Sequence, residues 1–120
     1  MNASLNTALS GLMANAAKLG VSASNVANAQ TPGYKAQVAE MEWVAGGGVK
    51  AKVTESQAPS TTIYAPEASG ADENGMASLP NVSFEEEAVN QKMAEIGYTA
   101  NAQVVKTLEA MDKSLFDIKV

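Results

Sequence analysis

Two sequence patterns meet at the stretch Ser24-Asn25-Val26-Ala27-Asn28-Ala29-Gln30-Thr31-Pro32-Gly33-Tyr34-Lys35. Before it, apolar residues recur at helical spacing; after it, the pattern becomes short, strand-like and rich in turn residues. Pro32 cannot continue a helix and biases Thr31 toward an extended conformation. Pro32 and Gly33 fit the two central positions of a type II turn, where glycine supplies the positive φ. The sequence therefore predicts that a helix ends here and that the chain then turns sharply.

The composition argues against several classes of protein. The 120 residues suffice for one domain, but the 46% of apolar residues are largely alanine and valine, with only 5% aromatics to fill a core. Eight lysines stand against thirteen acidic residues, without arginine or histidine, so a nucleic-acid partner is not expected. Cysteine is absent, which excludes disulfides and thiolate sites. The sequence contains no run of about 20 apolar residues, so we expect no membrane insertion.

The first helix is predicted from an apolar stripe with alternating spacings of four and three residues, as in a left-handed coiled coil. Gly11 and Gly20 weaken this helix locally by roughly 1 kcal/mol each relative to alanine, so it needs a packing partner. The stripe fits either an amphipathic helix on a globular core or an interface between subunits. Its residues are Leu5, Leu9, Leu12, Ala16, Leu19, Ala23 and Val26.

The middle of the chain predicts a small β element followed by a loop. Residues Val49–Thr54 alternate between apolar and polar, and Gly46-Gly47-Gly48 provides a turn that pairs them with Val38–Val44. Thr61–Tyr64 adds a possible third short strand, and residues 65–79 are polar and rich in turn residues, which indicates an exposed loop. We divide the chain into segments 1–35, 36–64, 65–82 and 83–120, forming one structural unit.

A second long helix is predicted from Ser83 onward. Ser83 and Glu86 have the spacing of a capping box, and three consecutive glutamates place negative charge on the first turn. Up to about Asp117 the helix would be roughly 50 Å long, which requires a partner along its length. Its apolar stripe is Val89, Met93, Ile96, Ala100, Val104, Leu108, Met111 and Leu115. The predicted fold is mainly α: two long terminal helices pair antiparallel as a coiled-coil-like hairpin, with a small β-hairpin element and a loop between them.

Three parts of the sequence resemble one family. Residues 23–35 are similar to the N-terminal signature of bacterial flagellar rod and hook proteins, the axial components of the basal body. Tyr98-Thr99-Ala100-Asn101, Val105-Lys106-Thr107 and Met111 resemble the C-terminal segment of that family. Asp72-Glu73-Asn74-Gly75, ahead of Leu79-Pro80-Asn81-Val82, is most like the corresponding loop of proximal rod subunits.

The resemblance implies a structural axial subunit that is exported through the flagellar type III apparatus without signal cleavage. Such a subunit would assemble with copies of itself and with other rod subunits in the basal body, within the periplasm, and would have no catalytic activity, cofactor or metal. Assembly would use the two stripes. The turn between helix and strand would depend on Asn25, Asn28, Thr31, Pro32, Gly33 and Tyr34.

Alternatives remain at several positions. In one alternative the stripes pair with each other inside one molecule; in another the chain is a free-standing coiled-coil adaptor or export chaperone. Asn25 and Asn28 are either solvated residues at a helix end or form hydrogen bonds that fix the turn and bridge subunits. Glu85, Glu86 and Glu87 fit helix capping better than metal binding, because no histidine accompanies them. Without histidine or cysteine, nucleophilic catalysis has little support.

Overall fold

The computed structural model describes residues 2–118 as two long helices with four short strands between them. The molecule is elongated, with extents of 78 × 25 × 20 Å. The predicted fold class is confirmed. In chain order the elements are α1 (Asn2–Ala27), β1 (Gln37–Trp43), β2 (Val49–Glu55), β3 (Thr61–Tyr64), β4 (Met76–Leu79) and α2 (Phe84–Ile118).

The two helices pack side by side and antiparallel. Gly11 lies against Asn101, Asn15 lies against Gly97, and the Ser22 hydroxyl donates to the Glu87 carbonyl at 3.1 Å. With this pairing, α2 continues for roughly eight residues, about 12 Å, past the first residue of α1.

The first β-hairpin forms as predicted from its glycine turn. β1 and β2 pair antiparallel from Gln37 opposite Glu55 to Trp43 opposite Val49. Gly46, Gly47 and Gly48 all adopt positive φ, which residues with a side chain rarely do. The hairpin folds back along α1, where the Val49 N–H donates to the Ser10 hydroxyl at 3.0 Å.

The predicted loop differs from the structure. Residues 76–79 form β4, which pairs antiparallel with β3 in a second two-stranded sheet, so β3 is not a third strand of the first sheet. The Asp72 carboxylate organises the connecting turn by accepting from the Asn74 and Met76 N–H groups at 2.9 and 2.8 Å. The division into four segments remains a prediction, and its ends at Met1 and at Lys119 and Val120 lie outside the described residues.

The described chain buries very little apolar surface. Across residues 2–118 the buried apolar side chains are all alanines, and the largest fully buried side chain is that of Asn25. Small side chains provide little hydrophobic stabilisation, since about 25 cal/mol is gained per Å² of apolar surface. Neither described helix is long and apolar enough to cross a membrane. Most of the large apolar side chains therefore remain at the surface of a single copy.

Candidate assembly interface

The two predicted stripes lie on the outside of the helix pair. On α1, Leu5, Leu12 and Val26 are half-buried, and the other stripe residues are exposed. On α2 only Leu108 is half-buried, whereas Met93 and Ile96 expose 58% and 60% of their surfaces. The hypothesis that the stripes pair with each other inside one molecule is therefore wrong, although the helices do form a hairpin.

The contact between the helices uses a different row of residues, which we call the seam. On α1 the seam falls one position before the stripe and comprises Ala8, Gly11, Asn15, Ser22 and Asn25. On α2 it falls one position after the stripe and includes Ala94, Gly97 and Asn101. One residue corresponds to a rotation of about 100° around a helix, so each stripe points well away from the partner helix.

The two stripes face opposite sides of the helix pair. Relative to the seam, the α1 stripe is rotated forward by one residue and the α2 stripe backward by one residue. Because the helices are antiparallel, both rotations are clockwise when the pair is viewed from the N-terminal end of α1. The two seams point at each other, so turning both directions clockwise by about 100° makes the stripes point to opposite sides of the pair. We call the side with the α1 stripe the α1 face and the side with the α2 stripe the α2 face.

A shallow groove runs along the α1 face between the helices. Leu19 and the small stripe residues Ala16 and Ala23 line one wall, and Tyr98 and Thr99 contribute to the other. Ala16, Gly20 and Ala23 leave the space because they have little or no side chain. A Cβ added at Gly20 would meet no atom within 4 Å. This groove is almost wholly apolar and is open to solvent.

Two glycine–asparagine pairs bring the helices together at the seam, each with the glycine on one helix and the asparagine on the other. The Asn15 side-chain amide donates to the Gly11 carbonyl on its own helix at 2.8 Å and packs on Gly97 of the other helix. The Asn101 amide likewise donates to the Gly97 carbonyl at 2.8 Å and packs on Gly11. A Cβ at Gly11 would lie 2.6 Å from the Asn101 Oδ1, and one at Gly97 would lie 2.5 Å from the Asn15 Oδ1. Glycine at both positions therefore leaves room for the facing asparagine, and a side chain there would force that asparagine to shift.

Asn25 joins α1 to β1 and to α2. Its Oδ1 accepts from the Gln37 N–H at 2.9 Å and from the Tyr34 hydroxyl at 3.2 Å. Its Nδ2 donates to the Gln37 carbonyl and to the Glu87 Oε1, each at 2.7 Å. Only 2% of Asn25 is exposed. The structure thus shows the hydrogen-bonded alternative within one chain, while bridging between subunits stays a prediction.

The remaining turn residues lie close to Asn25. Asn28 is half-buried and donates to the Ser24 carbonyl at 2.9 Å, while the Thr31 hydroxyl donates to the Asn28 Oδ1 at 3.2 Å. The Tyr34 N–H donates to the Thr31 carbonyl at 3.2 Å across Pro32 and Gly33, and Gly33 has a φ of 79°. These are features of the predicted type II turn. The Gly33 N–H also donates to the Ser78 carbonyl at 2.8 Å, which attaches β4 to the turn.

The glutamates at the start of α2 have separate roles. The Ser83 hydroxyl accepts from the Glu86 N–H at 3.3 Å, as predicted for the N-cap. Glu85 accepts from the Ser83 hydroxyl at 3.3 Å. Glu87 is instead half-buried, and its carboxylate accepts a hydrogen bond from the Asn25 side-chain amide. Helix capping accounts for the position of the Glu85 carboxylate, and attachment to α1 accounts for that of Glu87.

Charge pairs support the first β-hairpin at its surface. The Glu42 carboxylate lies 3.2 Å from the Lys52 ammonium and 3.6 Å from that of Lys50. The hydrogen bond from Lys52, with the positive charges of both lysines, lowers the pKa of Glu42 from its usual value of 4.5. Such exposed pairs stabilise a protein only slightly, because water screens them.

Sequence reasoning missed the residues that hold the helices together. Gly11, Asn15, Gly97 and Asn101 were not among the predicted site residues, and neither was Glu87. A signal existed: both helices contain glycine followed four residues later by asparagine, at Gly11–Asn15 and Gly97–Asn101. This glycine–asparagine spacing, repeated on both helices, would have indicated that the glycine of each helix packs against the asparagine of the other.

Comparison with known proteins agrees with this architecture. Residues 5–35 match the family described as flagella basal body rod protein. The chain is 40% identical to the flagellar basal-body rod protein FlgC of Salmonella typhimurium over 114 residues, which cover 85% of each chain. It is also 40% identical to FlgC of Escherichia coli O157:H7 and 34% identical to FlgC of Yersinia enterocolitica, and each of these matches again covers 85% of both chains.

Proposed function

The chain belongs to the family of flagellar basal-body rod proteins, and from this premise we propose that it enters the rod through the stripes of its two terminal helices. It is a structural subunit of the basal-body rod and assembles with other rod subunits. We also propose that the chain has no catalytic activity. This is supported by its relatives, which are named as rod proteins.

The exposure of both stripes is the observation that carries the proposal. Large apolar side chains such as Met93, Ile96 and Met111 each expose more than half of their surface in a single copy. A contiguous apolar row on the surface usually marks an interaction site. Burial between subunits would recover about 25 cal/mol per Å² of apolar surface, which a single copy does not obtain.

Export in an unfolded state through the type III apparatus is the second part of the proposal. The small core supports it, because unfolding exposes few buried apolar groups. The absence of cysteine supports it too, since no disulfide holds the chain together before export. We accordingly expect a dilute copy to be monomeric and only partly helical, with more helix after assembly.

The assembly role is tested by complementing a flagellated bacterium that lacks its own FlgC. We expect Met111→Asp to prevent incorporation into basal bodies, because the charge would have to be buried between subunits. Ala110→Asp is the matched control, since Ala110 is also exposed on α2 but lies about 100° away from Met111. Equal incorporation of the two variants would refute the role of the α2 stripe.

A free-standing adaptor or export chaperone predicts a different result. Such a protein would form a discrete, stable dimer in solution. Sedimentation at several concentrations distinguishes this from a largely monomeric rod subunit that orders on assembly. A dimer whose helicity is complete at high dilution would contradict the proposal.

A further inference from the structure

We infer that Asn74 is a site of spontaneous deamidation in the unfolded chain, and that the turn organised by Asp72 protects it once the chain has folded. Asn74 and Gly75 form the one Asn-Gly dipeptide of the sequence. At such a dipeptide the backbone nitrogen of the glycine can attack the asparagine side chain, because glycine has no Cβ to obstruct the approach. The inference concerns the chemistry of a single chain and does not depend on the rod function.

The reaction consumes water and releases ammonia. The Gly75 nitrogen gives up its proton and bonds to the Asn74 Cγ; the Cγ–Nδ2 bond then breaks, and Nδ2 leaves as ammonia with that proton. The product is a five-membered succinimide ring. Water opens the ring at either carbonyl carbon, which gives aspartate or isoaspartate. The new carboxyl group passes its proton to ammonia, so the chain gains one negative charge and ammonium is released.

The folded turn holds the reacting atoms apart. The Gly75 N–H donates to the Asp72 carbonyl at 2.9 Å, which closes a β-turn with Glu73 and Asn74 at its centre. Both central residues have negative φ, as in a type I turn. The ψ of Asn74 is then about 0°. This rotates the Gly75 nitrogen away from the Asn74 side chain, whereas ring closure needs the nitrogen eclipsed with Cβ. The turn therefore lacks the near-attack geometry that the reaction requires.

Further contacts keep the turn closed. The Asp72 Oδ1 accepts from the Asn74 and Met76 N–H groups at 2.9 and 2.8 Å, and the Asp72 N–H donates to the Met76 carbonyl at 2.9 Å. The Asn74 side chain is exposed, but Gly75 is buried, and a Cβ added there would lie 2.9 Å from the Tyr64 Cε2. Protection thus comes from the backbone. Because several hydrogen bonds must break before Asn74 can rotate, the reaction requires local unfolding of the turn.

Deamidation at Asn74 would affect more than the turn. In isoaspartate the backbone runs through the side-chain CH₂ group, so the chain between residues 74 and 75 becomes longer and Met76 loses its position opposite Tyr64. Ser78 of the same strand accepts from the Gly33 N–H, so the change would also reach the turn after α1. A chain that is exported unfolded, as proposed above, is susceptible until the turn closes.

The test follows deamidation of the full chain at one pH and temperature, in urea and in trimethylamine N-oxide. Urea unfolds the chain, whereas the osmolyte favours burial and folds it. Peptide mass spectrometry locates the aspartate and isoaspartate products, and circular dichroism reports the helicity of the same samples. Asp72→Ala removes the carboxylate that organises the turn. Glu73→Ala is the matched control, because the exposed Glu73 side chain takes no part in the hydrogen bonds of the turn.

We expect Asn74 to deamidate at least about tenfold more slowly in the osmolyte than in urea, since only the opened turn reacts. In the osmolyte, Asp72→Ala should lose most of this protection and Glu73→Ala should keep it. Equal rates for the unsubstituted chain in the two solvents would overturn the protection, and faster reaction of another asparagine in urea would overturn the assignment of the site. An Asp72→Ala chain that is helical and still protected would overturn the role of Asp72. If that variant loses its helicity, the comparison of the unsubstituted chain in the two solvents decides the inference.

Discussion

Gly11→Ala should destabilise the helix pair, although alanine is the better helix former. In an unobstructed helix interior the change from glycine to alanine stabilises by about 1 kcal/mol. At Gly11 the new Cβ would lie 2.6 Å from the Asn101 Oδ1 and 2.7 Å from its Cγ. To make room, Asn101 must move and lose its 2.8 Å hydrogen bond to the Gly97 carbonyl.

The cost of this movement exceeds the gain in helix propensity. Overpacking costs about 1–3 kcal/mol, and the lost hydrogen bond of the half-buried Asn101 amide costs about 0.5–1.5 kcal/mol. Subtracting the propensity gain of about 1 kcal/mol leaves a net loss of about 0.5–3.5 kcal/mol in the free energy of unfolding of the hairpin. Gly20→Ala is the matched control on the same helix, because its Cβ would meet no atom within 4 Å. It should stabilise by about 1 kcal/mol.

The assay is folding of the full chain by trimethylamine N-oxide, followed by circular dichroism at 222 nm. The osmolyte favours burial and therefore allows a marginally stable chain to be titrated. Gly11→Ala should shift the midpoint to higher osmolyte concentration, and Gly20→Ala should shift it to lower concentration. Adding Asn101→Ala to Gly11→Ala should recover part of the loss, because it removes the obstructing side chain. Stabilisation by Gly11→Ala equal to that by Gly20→Ala would refute the seam as described.

Three further predictions concern the turn and the first β-hairpin. Asn25→Leu should lower the free energy of unfolding by about 3 kcal/mol or more, because it leaves the Gln37 backbone groups and Glu87 without hydrogen-bond partners. The full chain should then be less helical, and unchanged helicity would contradict this. Gly33→Ala should cost roughly 1–2 kcal/mol in the same titration, since alanine is strained at a φ of 79°, and a neutral result would exclude that strain. The lowered pKa of Glu42 means that its ion pairs stabilise the hairpin at neutral pH and that this contribution is lost as pH falls from 4.5 through the lowered value. Chemical shifts of the hairpin amides should show this acid transition, and Glu42→Gln should remove it; persistence of the transition in the variant would assign it to another group.

Much of the fold could be predicted because local chemistry determines it. Pro32 and Gly33 end the first helix and fix the turn, and the glycines of residues 46–48 specify the hairpin connection. Ser83 caps the second helix as its spacing with Glu86 predicts. Each of these features depends on residues within a few positions of one another, so the sequence pattern contained the whole signal.

The choice of helix face could not be predicted from periodicity. The stripe and the seam have the same alternating spacing, and they differ only by a shift of one residue. The larger apolar residues favour the stripe as the intramolecular contact. Glycine and alanine at the seam instead allow closer approach of the backbones, and Asn15 and Asn101 satisfy their own amides there.

Other features depend on residues far apart in the sequence. The side chain of Asn25 contacts Glu87, 62 positions away, so its burial could not be read from its position at a helix end. β4 was interpreted as part of a loop because Asp72, Asn74 and Gly75 are typical of exposed turns. Those residues do form a turn, which then places Met76 opposite Tyr64 in the second sheet.

The most direct test of the account compares methionine oxidation in dilute chains and in isolated basal bodies. Met93 and Met111 lie on the α2 stripe and expose 58% and 54% of their surfaces in one copy, while Met41 on β1 serves as a reference outside the stripes. Peroxide converts exposed methionine to its sulfoxide, which peptide mass spectrometry quantifies. The account predicts that Met93 and Met111 react readily in the dilute chain and become protected at least tenfold relative to Met41 in basal bodies. Equal reactivity in both states would show that neighbouring subunits do not cover the stripe, and would contradict the account.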